Sequence, residues 1–341
     1  MMIRLKTTAL LLLTVLVVSC SKKSSPGGNT GGPVNPPVVV PVTPLISLPH
    51  GWKLSTTLAS NFPTGIQVFT FDSLYSGKKV KAFCVAYDSK NTQFEFKPVL
   101  SATAKKPSEF SAQETGIVYA CINGGYFGAN QSFSLVKYNN TVSSANIKVL
   151  NRTYNGVSTP YYPTRAAFGV TTGGAPSVAW VYSIGSGNNN VYSYPTVSPN
   201  AEGSAPQPVP DENFPTGGTS WNTVSAIGGS PILLKAGNVS ITDVQELISI
   251  NNTTSRPRSA IGYNANGIVL LLAIEGDNTT GGYAGLNLNE LANLLKDLSC
   301  TDAVNLDGGG STSLVIGNQL TVRPGDGTER PVISAVLIKR K

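Results

Sequence analysis

Histidine is almost absent from this sequence, which contains one, His50, among 341 residues. Hydrolases built on a Ser-His-Asp triad, zinc enzymes with histidine ligands and enzymes that form phosphohistidine all require an imidazole in the active site. The scarcity of histidine argues against these mechanisms. Proton transfer in this protein would have to use carboxylates, tyrosines, lysines or water.

Charged residues and long apolar runs are also scarce. Only 13% of the residues are charged, and the one long apolar run lies at residues 9–18. A bundle of membrane-spanning helices would need several apolar stretches of about 20 residues. The chain is instead rich in Gly (35) and Pro (23), with many Asn, Thr and Tyr residues. This composition favours short strands joined by turns, and we expect an α+β fold of β-rich mixed sheets with few helices.

The N-terminus has the pattern of an export signal over residues 1–20. Arg4 and Lys6 supply the positive start, an apolar segment follows, and Val17-Val18-Ser19-Cys20 resembles a bacterial lipobox. The pattern predicts a lipid on Cys20 and therefore a protein anchored to a bacterial membrane rather than spanning it. We expect a cell-envelope location, at the outer membrane or the cell surface.

Composition divides the rest of the chain into a tether and a folded part. Residues 21–48 are dominated by Ser, Gly, Pro, Asn and Val and cannot bury a core, so we expect an extended tether. Residues 49–341 should fold, with N-terminal strands over 49–115 and a core over 116–341. Within that core, residues 183–223 are rich in Gly, Asn, Ser and Pro, which predicts a long surface insertion and suggests a lid over the site.

The charge and cysteine content restrict the partners. Loss of Arg4 and Lys6 with the signal lowers the formal charge from +7 to +5, and the folded part has no basic run interleaved with aromatics. We therefore expect no nucleic-acid partner, and a monomer. Cys84, Cys121 and Cys300 allow at most one disulfide and lack metal-ligand spacing, so buried free thiols are expected.

The clearest pattern lies in the C-terminal third. An apolar strand over residues 267–274 ends at Glu275, and a helix follows that opens with Asn287 and Glu290 at capping-box spacing. A second short strand ends at Asp307. Strand, helix and strand in this order predict a parallel β-α-β unit with a right-handed crossover.

The predicted crossover has a chemical consequence. Both strands of a parallel pair end on one edge of the sheet, so Glu275 and Asp307 should meet there. Asn305 stands just before the acid, and the glycines that follow it would let a ligand approach the backbone. The sequence therefore predicts a binding loop made of Gly308, Gly309, Gly310, Ser311 and Thr312.

Two further patterns point to the same kind of site. An apolar run over residues 117–122 ends at Asn123-Gly124-Gly125, which is typical of a strand that presents backbone amides to a ligand. Residues 165–170 and 258–263 resemble each other, and each is followed by a turn and an apolar strand. This pattern suggests a duplicated hairpin that places Arg165 and Arg258 at equivalent strand starts.

The motifs together resemble the phosphodiester glycosidase family over roughly residues 121–337. The matching motifs are Asn123-Gly124-Gly125-Tyr126-Phe127, Ile227-Gly228-Gly229-Ser230-Pro231, Arg256-Pro257-Arg258-Ser259-Ala260-Ile261-Gly262, Glu275-Gly276, residues 285–292, Asn305-Leu306-Asp307-Gly308-Gly309-Gly310-Ser311-Thr312, Arg323-Pro324 and Glu329-Arg330-Pro331. Two departures are Glu275, where the family usually has aspartate, and Asn287, where it has Thr or Ser.

The resemblance implies a hydrolase that cleaves the bond between a sugar and a phosphate ester in surface or extracellular glycans. It implies that Asp307 is the nucleophile or the base, with Glu275 as its partner. Arg258 would clamp the phosphate, with Arg165 as a second cation. Asn123, Gly124 and Gly125 would hold sugar hydroxyls or the phosphate.

Two alternatives remain open from the sequence. A glycan-binding surface lipoprotein could keep the fold without catalysis. A calcium-dependent hydrolase could use oxygen ligands from Asp307, Glu275 and Asn305. Apart from this calcium alternative, we expect no cofactor.

Overall fold

The computed structural model of the chain describes residues 42–278 and 281–341. The predicted signal, Cys20 and most of the tether lie outside the described residues. The compact unit begins at Thr43, earlier than the predicted boundary at residue 49. Ile46 is only 4% exposed, and the amide of Leu45 donates to the side chain of Gln67 at 2.7 Å. In the described parts, no helix has both the length and the apolar character to cross a membrane.

Strands dominate the described residues. In chain order the elements are β1 Trp52–Leu54, β2 Ile66–Tyr75, β3 Lys78–Asp88, β4 Phe94–Lys105, α1 Pro107–Gln113, β5 Val118–Asn123, β6 Phe127–Gly128, β7 Gln131–Ser132, β8 Val136–Tyr138, β9 Thr141–Ser144, β10 Leu150–Tyr154, β11 Val157–Tyr161, β12 Arg165–Val170, β13 Pro176–Ser183, β14 Val191–Tyr194, β15 Thr219–Ser220, β16 Ser225–Gly228, β17 Ile232–Lys235, β18 Asn238–Val239, β19 Arg258–Asn264, β20 Ile268–Ile274, α2 Leu288–Asp297, β21 Cys300–Asn305, a 3₁₀ turn Gly309–Ser311, β22 Leu314–Ile316, β23 Gln319–Leu320 and β24 Val332–Arg340.

Three larger sheets surround a common core. The eight-stranded sheet has the order β1-β2-β3-β20-β19-β21-β17-β18, the seven-stranded sheet β15-β14-β13-β12-β16-β8-β9 and the five-stranded sheet β23-β22-β5-β24-β4. Two hairpins, β10-β11 and β6-β7, complete the fold. The expectation of a β-rich protein with few helices is confirmed.

The eight-stranded sheet is buried on both faces, which explains its long apolar strands. Phe83, Val85 and Tyr87 of β3 face the common core, whereas the alternating Ala82 and Cys84 face the cluster that contains the α2 leucines. Side chains alternate across a strand, so a strand covered on both sides has no polar face.

Helix α2 begins as the sequence predicts. Asn287 accepts a hydrogen bond from the amide of Glu290 at 2.9 Å, and the Glu290 carboxylate accepts from the Asn287 amide at 2.9 Å. This reciprocal capping box satisfies two amides that would otherwise lack partners at the helix start.

The predicted parallel pair is wrong. Every strand pairing within the described residues is antiparallel, and β19 lies between β20 and β21. Because β20 and β21 are both antiparallel to β19, they run in the same direction one strand apart. Their carboxyl ends therefore still reach one edge of the sheet, beside the start of β19.

The predicted duplication is visible in the topology. β12 pairs antiparallel with β13, and β19 pairs antiparallel with β20 in the same way. Both strands that begin with arginine also have a second antiparallel neighbour, β16 for β12 and β21 for β19. The predicted insertion over residues 183–223 extends this first half, since it carries β14 and β15 of the seven-stranded sheet.

Candidate active site

Asp307 and Arg258 lie side by side at the edge where β21 ends and β19 begins. The amide of Leu306 donates to the carbonyl of Ser259 at 2.9 Å, and that of Gly309 donates to the carbonyl of Pro257 at 2.9 Å. A Cβ placed on Gly308 would lie 3.8 Å from Cδ of Arg258. The main chains around the two residues predicted to converge therefore lie next to each other at this edge.

The carboxyl group of Asp307 is half-buried and unusually basic. Burial raises its pKa to about 6, against opposing effects from the Ser311 hydroxyl, the Gly308 amide and the positive charge of Arg330. The Gly308 amide donates to Oδ1 of Asp307 at 2.9 Å. A carboxyl group with this pKa exchanges protons close to neutral pH, as catalytic acids and bases must.

Arg258 is 2% exposed, and backbone carbonyls take its hydrogen bonds. Nε donates to the carbonyl of Leu286 at 3.0 Å, and Nη2 donates to those of Asn251 at 2.8 Å and Thr254 at 3.0 Å. Nη1 lies 3.4 Å from the carbonyl of Ile250. The fork predicted to clamp a phosphate is thus filled by main-chain oxygens.

Arg165 reaches the same region from the other hairpin. It is 7% exposed, Nη2 donates to the carbonyl of Leu247 at 3.2 Å, and Nε has no hydrogen-bond partner among residues 42–278 and 281–341. Burial lowers its pKa, while Glu246 and Tyr126 favour its charged form.

Tyr126 joins these groups and was not among the predicted site residues. Its hydroxyl donates to the carbonyl of Ser230 at 2.6 Å and accepts from Nδ2 of Asn305 at 2.7 Å. Burial raises the pKa of this phenol and Asp307 raises it further, whereas Arg258 and Arg165 lower it. One hydroxyl therefore lies in the electrostatic field of all three charged side chains. Its position directly after the Gly124-Gly125 pair was the available sequence signal.

Glu275 lies at the predicted edge of the sheet, but its contacts are structural. It is 1% exposed, its Oε1 accepts from the amide of Arg323 at 3.0 Å, and the Lys81 ammonium lies 3.2 Å away. These contacts tie β20 and β3 to the C-terminal segment. The geometry gives Glu275 a structural role and does not support it as the catalytic partner of Asp307.

The Asn123-Gly124-Gly125 motif does not present groups to a ligand, in contrast to the prediction. Asn123 is fully buried, with Oδ1 accepting from Ser259 and Nδ2 donating to the carbonyl of Asp307 at 2.7 Å. The Gly124 amide donates to the carbonyl of Ser334 at 2.8 Å. A Cβ at Gly124 or Gly125 would overlap neighbouring atoms. The motif therefore orients the Asp307 backbone, and its glycines are required by close packing.

The predicted loop after Asp307 is only partly available. Gly308, Gly309 and Gly310 are partly exposed, whereas Ser311 and Thr312 are each 1% exposed and Asn305 is fully buried. The Gly309 amide donates to the carbonyl of Pro257, so the expected row of free amides is not formed. Two buried oxygens at this end, Oγ1 of Thr312 and Oδ1 of Asn305, have no hydrogen-bond partner in the part of the chain that the structure describes.

An exposed ion pair beside the glycine loop was not predicted from the sequence. Nε of Arg330 donates to Oδ2 of Asp326 at 2.8 Å, and a side chain at Gly310 would overlap both groups. Nη1 of Arg330 lies 3.4 Å from the Ser311 hydroxyl. Gly310 therefore allows a solvent-accessible guanidinium to approach the Asp307 loop.

The cysteines and candidate metal ligands play no visible part. Cys84, Cys121 and Cys300 are buried free thiols, as expected. Within the described residues, no group of three or more His, Cys, Asp or Glu side chains is arranged to hold a metal ion. The calcium alternative, which also uses an asparagine, stays a prediction.

Comparisons with known proteins agree with the sequence motifs. Residues 116–339 match the profile of the family described as phosphodiester glycosidase. The mouse and bovine N-acetylglucosamine-1-phosphodiester alpha-N-acetylglucosaminidases are 31% and 30% identical over 113 residues. Those alignments cover 30% of this chain and 21% of each relative, so the chain matches about a fifth of their length.

Two solved structures share the fold. The zebrafish N-acetylglucosamine-1-phosphodiester alpha-N-acetylglucosaminidase catalytic domain, auto-inhibited by its pro-peptide, has a TM-score of 0.54 at 18% identity and covers 85% of this chain and 89% of that one. A hypothetical protein from Synechocystis has a TM-score of 0.55 at 20% identity, covering 82% and 63%. At these identities the likeness concerns the fold.

Proposed function

Because the chain belongs to the phosphodiester glycosidase family, we propose that it hydrolyses the glycosidic bond of a sugar 1-phosphodiester to free sugar and a phosphomonoester. The observation that carries the proposal is the half-buried Asp307, which has a pKa of about 6, is influenced by the positive charge of Arg330 and lies next to the main chain of Arg258. A carboxyl group and fixed cations are the two elements that this reaction needs.

The leaving group explains why one carboxyl group can suffice. Ordinary glycosidases use a second carboxylic acid to protonate the departing oxygen. A phosphomonoester departs as a stabilised anion, because its last proton has a pKa of about 6. Protonation therefore matters less, which fits a site where Glu275 is committed to Lys81 and Arg323.

We assign the anomeric side of the reaction to Asp307, acting as nucleophile or as base for water. In either role its carboxylate form stabilises the positive charge that develops on the sugar ring. The buried cations Arg258 and Arg165 attract the phosphate on the other side of the bond. The pKa of Tyr126 is influenced by all three charged groups.

The test is hydrolysis of a panel of α- and β-linked sugar 1-phosphodiesters that carry a chromogenic alcohol on the phosphate. We expect release of free sugar and of the chromogenic phosphomonoester, which a phosphatase added afterwards converts to colour. Intact diesters across the panel would overturn the enzyme proposal. Saturable binding of the same diesters without turnover would favour the glycan-binding alternative, and loss of turnover on exhaustive chelation would favour the calcium alternative.

We also propose that the mature protein is a monomer in the cell envelope, held to a bacterial membrane by a lipid on Cys20, and that it acts on phosphodiester-linked surface or extracellular carbohydrate. The support is the lipobox-like tetrad and the tether-like composition of residues 21–41. Metabolic labelling with a lipid analogue should mark the full chain, and Cys20→Ala should remove the label. A labelled Cys20→Ala variant would contradict the anchor.

A further inference from the structure

Three arginines from different parts of the fold donate hydrogen bonds to the carbonyls of one segment, residues 247–254. Arg152 of β10 and Arg165 of β12 share the carbonyl of Leu247, at 3.4 Å and 3.2 Å from their Nη2 atoms. Arg258 of β19 donates to three further carbonyls of the segment, those of Ile250, Asn251 and Thr254. This main-chain segment thus lies across a cluster of guanidinium groups.

Neither Arg165 nor Arg258 forms a salt bridge within the described residues. Among the ion pairs of the described residues, neither takes part, and the one near Arg152 is a 3.7 Å contact with the exposed Glu202. Glu246 is the acid near Arg165, but its carboxylate accepts hydrogen bonds from five other residues, namely Ala166, Trp180, Ser230, Ile232 and Thr242. Buried cations are costly when unpaired, so the cluster is suited to bind an anion.

The unpartnered Nε of Arg165 supports an unfilled site. This nitrogen is buried in a residue that is 7% exposed, and it lacks an acceptor in the described structure. The carbonyl of Leu247 is already shared by two guanidinium groups. Phosphate supplies several charged acceptor oxygens, and guanidinium–phosphate hydrogen bonds are about twice as strong as those between neutral groups.

The covering segment is held mostly by local hydrogen bonds, such as those from the Leu247 amide to the Val244 carbonyl at 3.1 Å and from the Thr254 amide to the Asn251 carbonyl at 3.2 Å. Leu247 and Asn251 have φ values of +51° and +54°, which turns the backbone away from regular structure. Asn252 links this segment to its neighbours. Its side-chain amide donates to Asp243, and its side-chain oxygen accepts from the Ile250 amide at 3.2 Å. Its main-chain carbonyl accepts from the Leu288 amide at 3.0 Å. Ser249 and Thr253 are exposed.

We propose that Arg152, Arg165 and Arg258 form a phosphate-binding site whose acceptor positions are occupied in the free protein by the carbonyls of residues 247–254, and that the phosphate of a diester binds by displacing this segment. The inference rests on the proposed function and adds to it a third cation, Arg152, and a cover. The cover excludes water and weakly bound anions until a phosphate replaces its oxygens.

Inorganic phosphate is the probe, and binding is measured together with backbone amide hydrogen exchange. We expect saturable phosphate binding to speed exchange in residues 247–254. Asn252→Ala should loosen the cover and tighten phosphate binding about tenfold, or 1.4 kcal/mol. Asn293→Ala is the matched control, because Asn293 is an exposed asparagine on α2 that bonds only Asn289. This control should behave as the parent protein.

Arg152→Gln provides the opposite test without changing the buried arginines. It should weaken phosphate binding severalfold and leave the thermal midpoint of the phosphate-free protein nearly unchanged. Phosphate binding with no change of exchange in residues 247–254, or equal affinities for the parent and Asn252→Ala, would overturn the inference. So would the absence of phosphate binding. If phosphate opens the segment but no diester is cleaved, the proposed function fails and this site stands.

Discussion

The two arginine-led hairpins occupy matching positions but have different chemistry. Ala167 pairs with Gly228 in one half and Ala260 pairs with Asn305 in the other, each two residues after the leading arginine. The Gly229 amide donates to Ala166 just as the Leu306 amide donates to Ser259. By this register the counterpart of Asp307 is Ser230.

The same pair of hairpins has a structural role in the first half and carries the candidate site in the second half. Ser230 is fully buried, and its hydroxyl donates to Glu246 at 2.6 Å. Glu246 accepts five hydrogen bonds and joins β12, β13 and β17. The carboxyl group of Asp307 receives far less compensation, and its pKa is raised to about 6. The acid of the first half joins three strands, whereas the acid of the second half is the one for which we propose a chemical role.

The largest effect should come from replacing the acid of the second half. Asp307→Asn should lower kcat on a sugar 1-phosphodiester by at least about 1,000-fold, or 4 kcal/mol, because the carboxylate that stabilises the cationic transition state is removed. Ser230→Ala, the matching change in the first half, should alter kcat less than about threefold. Steady-state kinetics of both variants measure the two values of kcat. A loss of tenfold or less for Asp307→Asn would show that Asp307 takes no part in the chemistry.

Stability should respond in the opposite way. Glu246→Ala leaves buried donors without an acceptor and should lower the free energy of unfolding by about 3 kcal/mol or more. The measurement is urea denaturation monitored by tryptophan fluorescence. Glu202→Ala, at a side chain that is 69% exposed, is the control and should stay within about 0.5 kcal/mol of the parent protein. Equal stability of the two variants would contradict the structural role of Glu246.

Asp307 should show a smaller stability effect that depends on pH. Its folded pKa of about 6 lies above the ordinary 3.8, so the folded state binds the proton more tightly than the unfolded state. Its contribution is fully present below about pH 4 and is lost as the pH rises through 6. At pH 8 the free energy of unfolding of Asp307→Asn should therefore exceed that of the parent by at most about 3 kcal/mol, and the difference should shrink at low pH. Denaturation at both pH values measures this, and a less stable variant at pH 8 would refute it.

The smallest effect should be on the pH profile. Arg330 lowers the pKa of Asp307, so Arg330→Gln should move the Asp307-dependent limb of kcat/KM upward by a fraction of a pH unit. Arg340→Gln is the control, since Arg340 is exposed at the end of β24. A downward shift, or equal shifts in both variants, would show that the Arg330 charge does not act on Asp307.

Local features were predicted well because they depend on neighbouring residues. The Asn287–Glu290 capping box, the two arginine-led hairpins and the free cysteines all follow from short-range patterns. The parallel pair was wrong because strand order is decided by distant segments. The insertion of β19 between β20 and β21 leaves no trace in the residues of β20, α2 or β21.

The roles of the site residues were harder to predict than their location. The sequence indicated Asp307, Arg258 and Glu275 at one edge, but Lys81 and Arg323, which contact Glu275, lie about 194 and 48 residues from it along the chain. The carbonyls that fill the Arg258 fork belong to a segment with no distinctive motif. Hydrogen-bond partners of this kind cannot be inferred from residue type.

The sequence by itself determined the family, the β-rich class and the position of the acid that follows β21, because motifs and periodicity are local properties of a chain. Only the tertiary structure decided that Asp307 stays partly accessible while Glu246 and Glu275 are buried, and that one segment covers three arginines. Burial and charge compensation depend on which distant groups surround an atom, and those surroundings set the pKa and availability of every candidate group.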